Sequence, residues 1–299
     1  MASTRMVNGR IGILIGFFLL SAPAWATPYS QVQTFLHNLA TQYPQSTRLF
    51  VLGQSDAGVP IEGVIIGNGP VENLLVATHH GNEYGSTEVA KGFAADLAKN
   101  PIAGQTLFII PVLNVSGYNG NERRETLGGT TYDPNRNYPG PCGTEGPFTL
   151  KSTHALADFM AAHHIVVSAT LHTFSPAVLY PWGISTKDLS TAYDDQFKQL
   201  GLWATMESTY AVGNSTELLY PADGAFEDYA FWKHGAWSML FEIGFSHSPT
   251  AAEVKTMVEV NVPGLRRMYT QAPTAPAAKH DFTGHCDTHF IGKFDRHDE

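Results

Sequence analysis

The stretch NLLVATHHGNEYGS (residues 73–86) joins an apolar run to three side chains that can bind a metal ion. The run at 74–76 is typical of a buried strand, and His79, His80 and Glu83 follow where that strand should end. Imidazole and carboxylate groups at this spacing indicate a metal site. A histidine that only caps a strand is the alternative, and this stretch alone does not decide between the two.

The sequence around this stretch alternates between strand-length and helix-length segments. Several of the strand-length runs are apolar throughout, which is typical of strands covered on both faces. The alternation predicts an α/β fold with a mixed, largely buried sheet flanked by helices. The predicted strands are RLFVLG, IEGVIIG, NLLVATHH, TLFIIPVLN, IVVSATLH and WSMLFEIG, and the predicted helices after the first, YSQVQTFLHNLATQYPQS, lie at 84–99, about 152–163, 190–211 and 251–270.

Two other predicted strands end in polar side chains that a buried strand does not need, His172 and Glu242. Ligands of open α/β sheets gather at the carboxyl ends of strands, so these side chains can meet His80 and Glu83 in one site. Two histidines and a glutamate form a catalytic zinc set with water at the fourth position. We therefore predict one zinc ion per chain on His80, Glu83 and His172. Glu242 would take the proton of that water.

The chain of 299 residues has ordinary globular composition, with 43% hydrophobic and 15% charged residues. This length is sufficient for one large domain with a substantial core. The formal net charge of −9 argues against nucleic acid and anionic membranes as partners. We expect a monomer.

The first 26 residues are typical of an export signal. Two arginines precede a ten-residue apolar core, which is too short to span a bilayer, and Ala-Trp-Ala follows as a cleavage site. We predict cleavage near Ala26 and a secreted or periplasmic protein without a membrane anchor. The folded domain would then occupy residues 27–270.

Export makes the two cysteines informative. An oxidising compartment favours a disulfide between Cys142 and Cys286, with two free thiols as the alternative. After residue 270 the composition changes to QAPTAPAAK and then to a histidine-rich stretch, so we interpret 271–299 as a linker and tail. A histidine-rich tract can bind metal, but a solvated tail held at Cys286 is the interpretation that we favour.

Taken in order, the motifs over roughly residues 30–270 resemble the zinc metallocarboxypeptidases of the carboxypeptidase A/B type. HGNE matches the family's His-x-x-Glu pair of zinc ligands, and HTFSPAVLYPWG is similar to the segment that begins with the third ligand. NVSGY and DPNRNYP resemble two further family motifs, and FEIG carries the residue that aligns with the general base. The resemblance implies the family's phosphorylase/hydrolase-like fold, with an eight-stranded mixed sheet between helices.

The resemblance also implies how a substrate is held. Asn135 and Arg136 would bind the terminal carboxylate of a peptide, and Tyr220 would cover it. Glu227 falls where the family places the floor of the pocket for the terminal side chain, and an acid there implies a preference for C-terminal Lys or Arg. The alternative is that Glu227 is a surface residue of a helix.

The family's electrophile-stabilising arginine should lie in NERRET. The loop is shorter in this chain, so two arginines compete for the role. We choose Arg124, with Arg123 as the alternative.

These assignments predict an exported zinc metallocarboxypeptidase, whose partner is a peptide with a free C-terminal carboxylate. HGNE also resembles zinc deacylases, and Asn82 stands where many carboxypeptidases have arginine. An N-acyl amino acid deacylase or murein-peptide amidase is therefore the alternative. A catalytically dead binding protein is disfavoured, because it would be expected to have lost a zinc ligand or the base.

Overall fold

Eight strands form one mixed sheet in the computed structural model, which describes residues 28–143, 147–187, 189–278 and 281–286. The spatial order of the strands is β1-β2-β4-β3-β7-β10-β8-β9, and β5 pairs with β6 as a separate ribbon. The strands are β1 (Thr47–Gln54), β2 (Pro60–Gly67), β3 (Val71–Ala77), β4 (Gln105–Ile110), β5 (Glu125–Leu127), β6 (Thr130–Tyr132), β7 (Ile165–His172), β8 (Ala177–Tyr180), β9 (Ala211–Asn214) and β10 (Trp237–Glu242).

Helices cover the sheet, as the alternating sequence pattern predicts. They are α1 (Tyr29–Gln42), α2 (Tyr84–Lys99), α3 (Val115–Gly120), α4 (Lys151–Ala162), α5 (Asp194–Ala204), α6 (Ser215–Leu218), α7 (Phe226–His234) and α8 (Ala251–Gln271). The longest, α8, packs against α2 and α5, while α7 packs against β7, β10 and α4. None of the helices in the described ranges is long and apolar enough to cross a membrane.

The centre of the sheet is parallel, with β4, β3, β7 and β10 side by side. Every residue of β7 is buried, so this strand is covered on both faces. In the register between β7 and β10, His172 lies opposite Glu242. The parallel arrangement therefore places the carboxyl ends of β3, β7 and β10 at the same edge.

The predicted α/β class and mixed sheet are confirmed, with differences in individual elements. The helix predicted at 190–211 is shorter, because α5 ends at Ala204 and the chain then enters β9. Helix α7 was missed because most of its side chains are buried, so it lacks the apolar stripe that marks a surface helix. The predicted export signal lies outside the described residues.

Cys142 and Cys286 form a disulfide with their Cα atoms 5.3 Å apart, as the cysteine count predicts. The described part of the segment after α8 also contacts the domain. The indole of Trp237 donates to the carbonyl of Ala275 at 3.0 Å, and the hydroxyl of Ser185 donates to the carbonyl of His285 at 2.7 Å. The first part of the predicted linker and tail is thus held along the domain.

Candidate metal centre and substrate cleft

A tight turn after β3 presents the first two candidate ligands. Thr78 adopts a left-handed backbone with φ of 61°, and its hydroxyl lies 2.7 Å from that of Thr87 in the first turns of α2. Gly81 follows, and a Cβ there would lie 2.1 Å from the backbone carbon of Gly117, so only glycine fits. The turn is therefore held rigidly between the end of a buried strand and the start of α2.

His80, Glu83 and His172 meet at this turn, all three buried. His80 Nδ1 lies 2.7 Å from Glu83 Oε1, and His172 Nδ1 lies 3.0 Å from Glu83 Oε2. The two imidazole Nδ1 atoms are 3.2 Å apart. Although burial acts to raise the pKa of Glu83, the neighbouring His80 and His172 outweigh it and hold that pKa well below its usual range. The cluster thus offers an ionised carboxylate and two imidazoles.

These donors fit a zinc ion. Ligand atoms about 2.0–2.1 Å from a tetrahedral zinc are separated from each other by roughly 3.3 Å, close to the spacing between the donor atoms here. All three ligand atoms lie within 4.8 Å of one another. Two histidines and a glutamate with a cleft beside them match the open site of catalytic zinc rather than the closed site of structural zinc.

Asp133 supports the cluster from its outer side. Its Oδ1 lies 3.0 Å from His80 Nε2, the ring nitrogen that faces away from the other two ligands, and its Oδ2 accepts from Arg123 Nη2 at 2.9 Å. A carboxylate on the second nitrogen of a ligating histidine sets its tautomer and increases its basicity. Asp133 would thus position His80 for metal binding. The sequence alone did not single it out, although it begins the motif DPNRNYP.

Replacing Asp133 by Asn is expected to weaken zinc binding by about 10- to 100-fold while leaving the three ligands in place. The reason is that an amide cannot provide the negative charge that increases the basicity of His80. Competition with a chelator of known affinity measures the change. An Asp158→Asn variant, altered on the exposed surface of α4, is the control. Equal zinc affinity in wild type and Asp133→Asn would contradict this role.

Glu242 ends β10 and lines the same cleft. Burial raises the pKa of its carboxyl group well above the usual value, and the negative charge of Glu83 acts in the same direction. Its Oε2 atom is buried and makes no hydrogen bond within the described ranges. A cation held by the neighbouring cluster would favour its ionised form, which suits a group that exchanges protons.

Arg136, Asn135 and Tyr220 lie together in the cleft. Arg136 Nη1 donates to the carbonyl of Asn135 at 2.7 Å, and Nη2 donates to the hydroxyl of Tyr220 at 3.4 Å. The side chain of Asn135 accepts from the backbone N–H of Phe226 at 2.9 Å, which joins the short 3₁₀ turn Pro134–Arg136 to the start of α7. The cleft therefore contains a held guanidinium with a tyrosine beside it, a group suited to binding a carboxylate.

Glu227 also lines the cleft and is only 2% exposed. Its position excludes the alternative of a solvated surface residue of a helix. Burial raises the pKa of its carboxyl group, although Arg136 and Asn135 act in the opposite direction. The cleft thus contains a buried acid near the guanidinium of Arg136.

Arg123 and Arg124, the two candidates for the electrophile-stabilising arginine, differ in their positions relative to the cleft. Arg123 lines the cleft, and its Nη1 lies 3.2 Å from His80 Nδ1 and 3.8 Å from Glu83 Oε1. Its carbonyl accepts from the N–H of Gly81, which fixes this loop against the turn that carries the ligands. Arg124 is not among the described residues that line the cleft. The position of Arg123 in the cleft therefore favours our alternative, Arg123, over Arg124 for the predicted role.

His79, which precedes His80 in the sequence, lies behind the cluster. Its ring nitrogens lie 3.0 Å from the hydroxyl of Tyr138 and 3.1 Å from that of Thr170, and its ring stacks on His172. His79 is thus a packing neighbour. The cleft also contains His247 and Ser215, which no sequence motif marked.

The family model for zinc carboxypeptidases matches residues 32–264. The chain belongs to the zinc carboxypeptidase family. Among curated relatives, human carboxypeptidase D is 23% identical over 276 residues, covering 78% of this chain, and carboxypeptidase B of Astacus astacus is 24% identical over 246 residues, covering 68%. The chain spans about a fifth of the length of the carboxypeptidase D relatives that it matches, but 80% of the Astacus carboxypeptidase B.

Solved structures share the zinc carboxypeptidase fold. Bovine thrombin-activatable fibrinolysis inhibitor, solved with a tick carboxypeptidase inhibitor, superposes with a TM-score of 0.74 at 17% identity over 81% of this chain and 96% of that one. A succinylglutamate desuccinylase from a Silicibacter species superposes with a TM-score of 0.56 at 17% identity over 79% and 70%. The fold is thus shared with a desuccinylase, so the fold alone does not select between peptide hydrolysis and deacylation.

Proposed function

We propose that this chain is an exported zinc-dependent carboxypeptidase that removes the C-terminal residue of peptides, with a preference for basic residues. The observation that supports it most is one cleft that holds both the His80–Glu83–His172 cluster and the carboxylate-binding pair of Arg136 and Tyr220. Family membership supports hydrolysis of a peptide bond, and the predicted signal near Ala26 supports export. We further propose that the enzyme acts as a monomer.

The metal cluster, Glu242 and Arg123 have distinct roles in this reaction. Zinc on the cluster would polarise the scissile carbonyl and lower the pKa of the attacking water. Glu242 takes the proton of that water and passes it to the leaving amine. The guanidinium of Arg123, fixed by Asp133, stabilises the negative charge that develops on the carbonyl oxygen.

Arg136 makes the enzyme an exopeptidase. Its guanidinium would hold the terminal carboxylate of the substrate, with Asn135 beside it, and Tyr220 would close over the bound residue. A peptide without that carboxylate forms no ion pair with Arg136, so it should be a poor substrate.

The preference for basic residues rests on Glu227. A buried carboxylate needs a cation or a proton, and a terminal Lys or Arg side chain would supply the cation inside the pocket. Peptides that end in apolar residues provide no partner for it, so they should react more slowly.

Peptides that differ only in the C-terminal residue, each with an amidated twin, test this function. We expect zinc-dependent loss of one residue from free-acid peptides, most rapidly from those ending in Lys or Arg, and at least 100-fold slower reaction of the amides, because a charged hydrogen-bonded pair is lost. Mass spectrometry identifies the products, with and without a chelator. Cleavage of amides at an equal rate would exclude the role of Arg136.

A Glu227→Ala variant in the same assay tests the pocket. It should lose the preference for Lys and Arg and retain turnover of peptides that end in Leu. The matched variant is Glu122→Ala, an exposed acid at the end of α3, which should behave as wild type. Unchanged preference after Glu227→Ala would reject the assignment of the pocket.

Zinc-dependent deacylation of N-acyl amino acids or amidase action on murein peptides is the second candidate. It is favoured by the motif HGNE, by Asn82 in place of arginine, and by a fold shared with a desuccinylase. Turnover of N-acyl amino acids or cell-wall stem peptides, without cleavage of ordinary free-acid peptides, would select it.

A further inference from the structure

Two buried polar atoms of the cleft have no hydrogen-bond partner among the described residues and belong to the same pocket. They are Oε2 of Glu227 and Oγ of Ser215, in residues that are 2% and 4% exposed. Buried polar groups in folded proteins are nearly always paired, so two unpaired ones in a pocket call for a ligand that pairs them.

The hydroxyl of Ser215 is not needed to build α6, the helix that this residue begins. The side chain of Asn214 caps α6 by accepting from the N–H of Thr216 at 2.8 Å, which leaves the hydroxyl of Ser215 uncommitted. Gly183 packs closely against Ser215, since a Cβ there would lie 2.8 Å from Cβ of Ser215. The serine is therefore held in place without using its hydroxyl.

The carboxylate of the neighbouring acid, Asp228, is already hydrogen-bonded within the protein. Both carboxylate oxygens of Asp228 accept from the N–H of Gly183, at 2.9 and 3.2 Å. Asp228 thus positions the chain behind Ser215, whereas Glu227 keeps one oxygen for a ligand. Glu227 and Ser215 therefore each keep a polar atom that can bind a ligand.

The remaining lining suits the stem of a long side chain. Leu179, Leu219 and Leu240 line the cleft together with Ser215 and Glu227. Apolar walls pack against methylene groups, and a tip with at least two N–H groups would satisfy both polar atoms.

We propose that Ser215 is a second specificity-determining residue, whose hydroxyl binds, together with Glu227, the guanidinium or ammonium tip of a C-terminal Arg or Lys side chain. This inference rests on the proposed function, which it deepens by assigning a second polar contact to the pocket. Removal of the hydroxyl should therefore affect basic substrates alone.

A Ser215→Ala variant tests the inference, with peptides that end in Arg, Lys and Leu. We expect kcat/KM for the Arg and Lys peptides to fall about tenfold, as for the loss of one hydrogen bond to a charged group, and kcat/KM for the Leu peptide to stay within about twofold. The larger of the two losses identifies the tip that Ser215 contacts. Ser208→Ala is the matched control. Its hydroxyl is also buried and has no hydrogen-bond partner among the described residues, but Ser208 does not line the cleft.

Binding of the free amino acids provides a readout that does not depend on turnover. Free arginine or lysine should raise the melting temperature of the wild type more than that of Ser215→Ala, and leucine should not distinguish them. An equal loss on all three peptides, or none, would overturn the role of Ser215. If the wild type cleaves no free-acid peptide, the proposed carboxypeptidase activity fails, and the melting experiment alone decides whether Ser215 binds a basic side chain.

Discussion

Replacing Glu242 by Gln is expected to lower kcat by about 10²- to 10⁴-fold, the range for loss of a general acid–base group. Glutamine has the same shape but cannot accept the proton of the attacking water. Because Glu242 faces the cleft at the end of β10 and is not one of the three clustered ligands, zinc binding should not change. Single-turnover kinetics on a peptide with a free carboxylate, together with the zinc content of the same preparation, measure both quantities.

A Glu72→Gln variant is the matched control. Glu72 lies near the opposite end of β3, where it contacts the ring of His163 at 3.2 Å, far from the carboxyl edge of the sheet. It should retain wild-type kcat. Substantial turnover by Glu242→Gln with full zinc content would remove Glu242 from the mechanism.

Replacing His172 by Ala is expected to remove most of the bound zinc and, with it, the activity. Deletion of one of three protein ligands should weaken binding by more than the roughly 100-fold at the upper end for outer partners such as Asp133. It also leaves a cavity at a fully buried position. Zinc content after gel filtration and affinity by competition with a chelator measure the loss.

His163→Ala is the control for this variant, since His163 lies two residues before β7, at the opposite end of that strand from His172. It should keep one zinc per chain. Retention of stoichiometric, chelator-sensitive zinc by folded His172→Ala would show that the metal is held elsewhere. A circular dichroism spectrum like that of the wild type establishes that the variant has folded.

Both predictions depend on features that could be found in the sequence. His80 and Glu83 directly follow an apolar run, and His172 and Glu242 end two others. In a parallel sheet, the carboxyl ends of the strands meet at one edge. Patterns that each span a single strand were therefore sufficient to predict that these four side chains converge. The class of the fold followed from the same alternation of strand and helix.

The sequence by itself thus determined the α/β class, the clustering of His80, Glu83 and His172 and the position of Glu242, because each depends on where a buried strand ends. The tertiary structure decided what depends on contacts between distant segments. Arg123 rather than Arg124 faces the cluster because its loop is bonded to the turn at Gly81. Asp133 reaches His80 across 53 residues, and Ser215 and Glu227, at the starts of α6 and α7, line one cleft although they belong to different elements. Contacts between distant segments produce no periodic pattern in the sequence, because they depend on the packing of the whole chain.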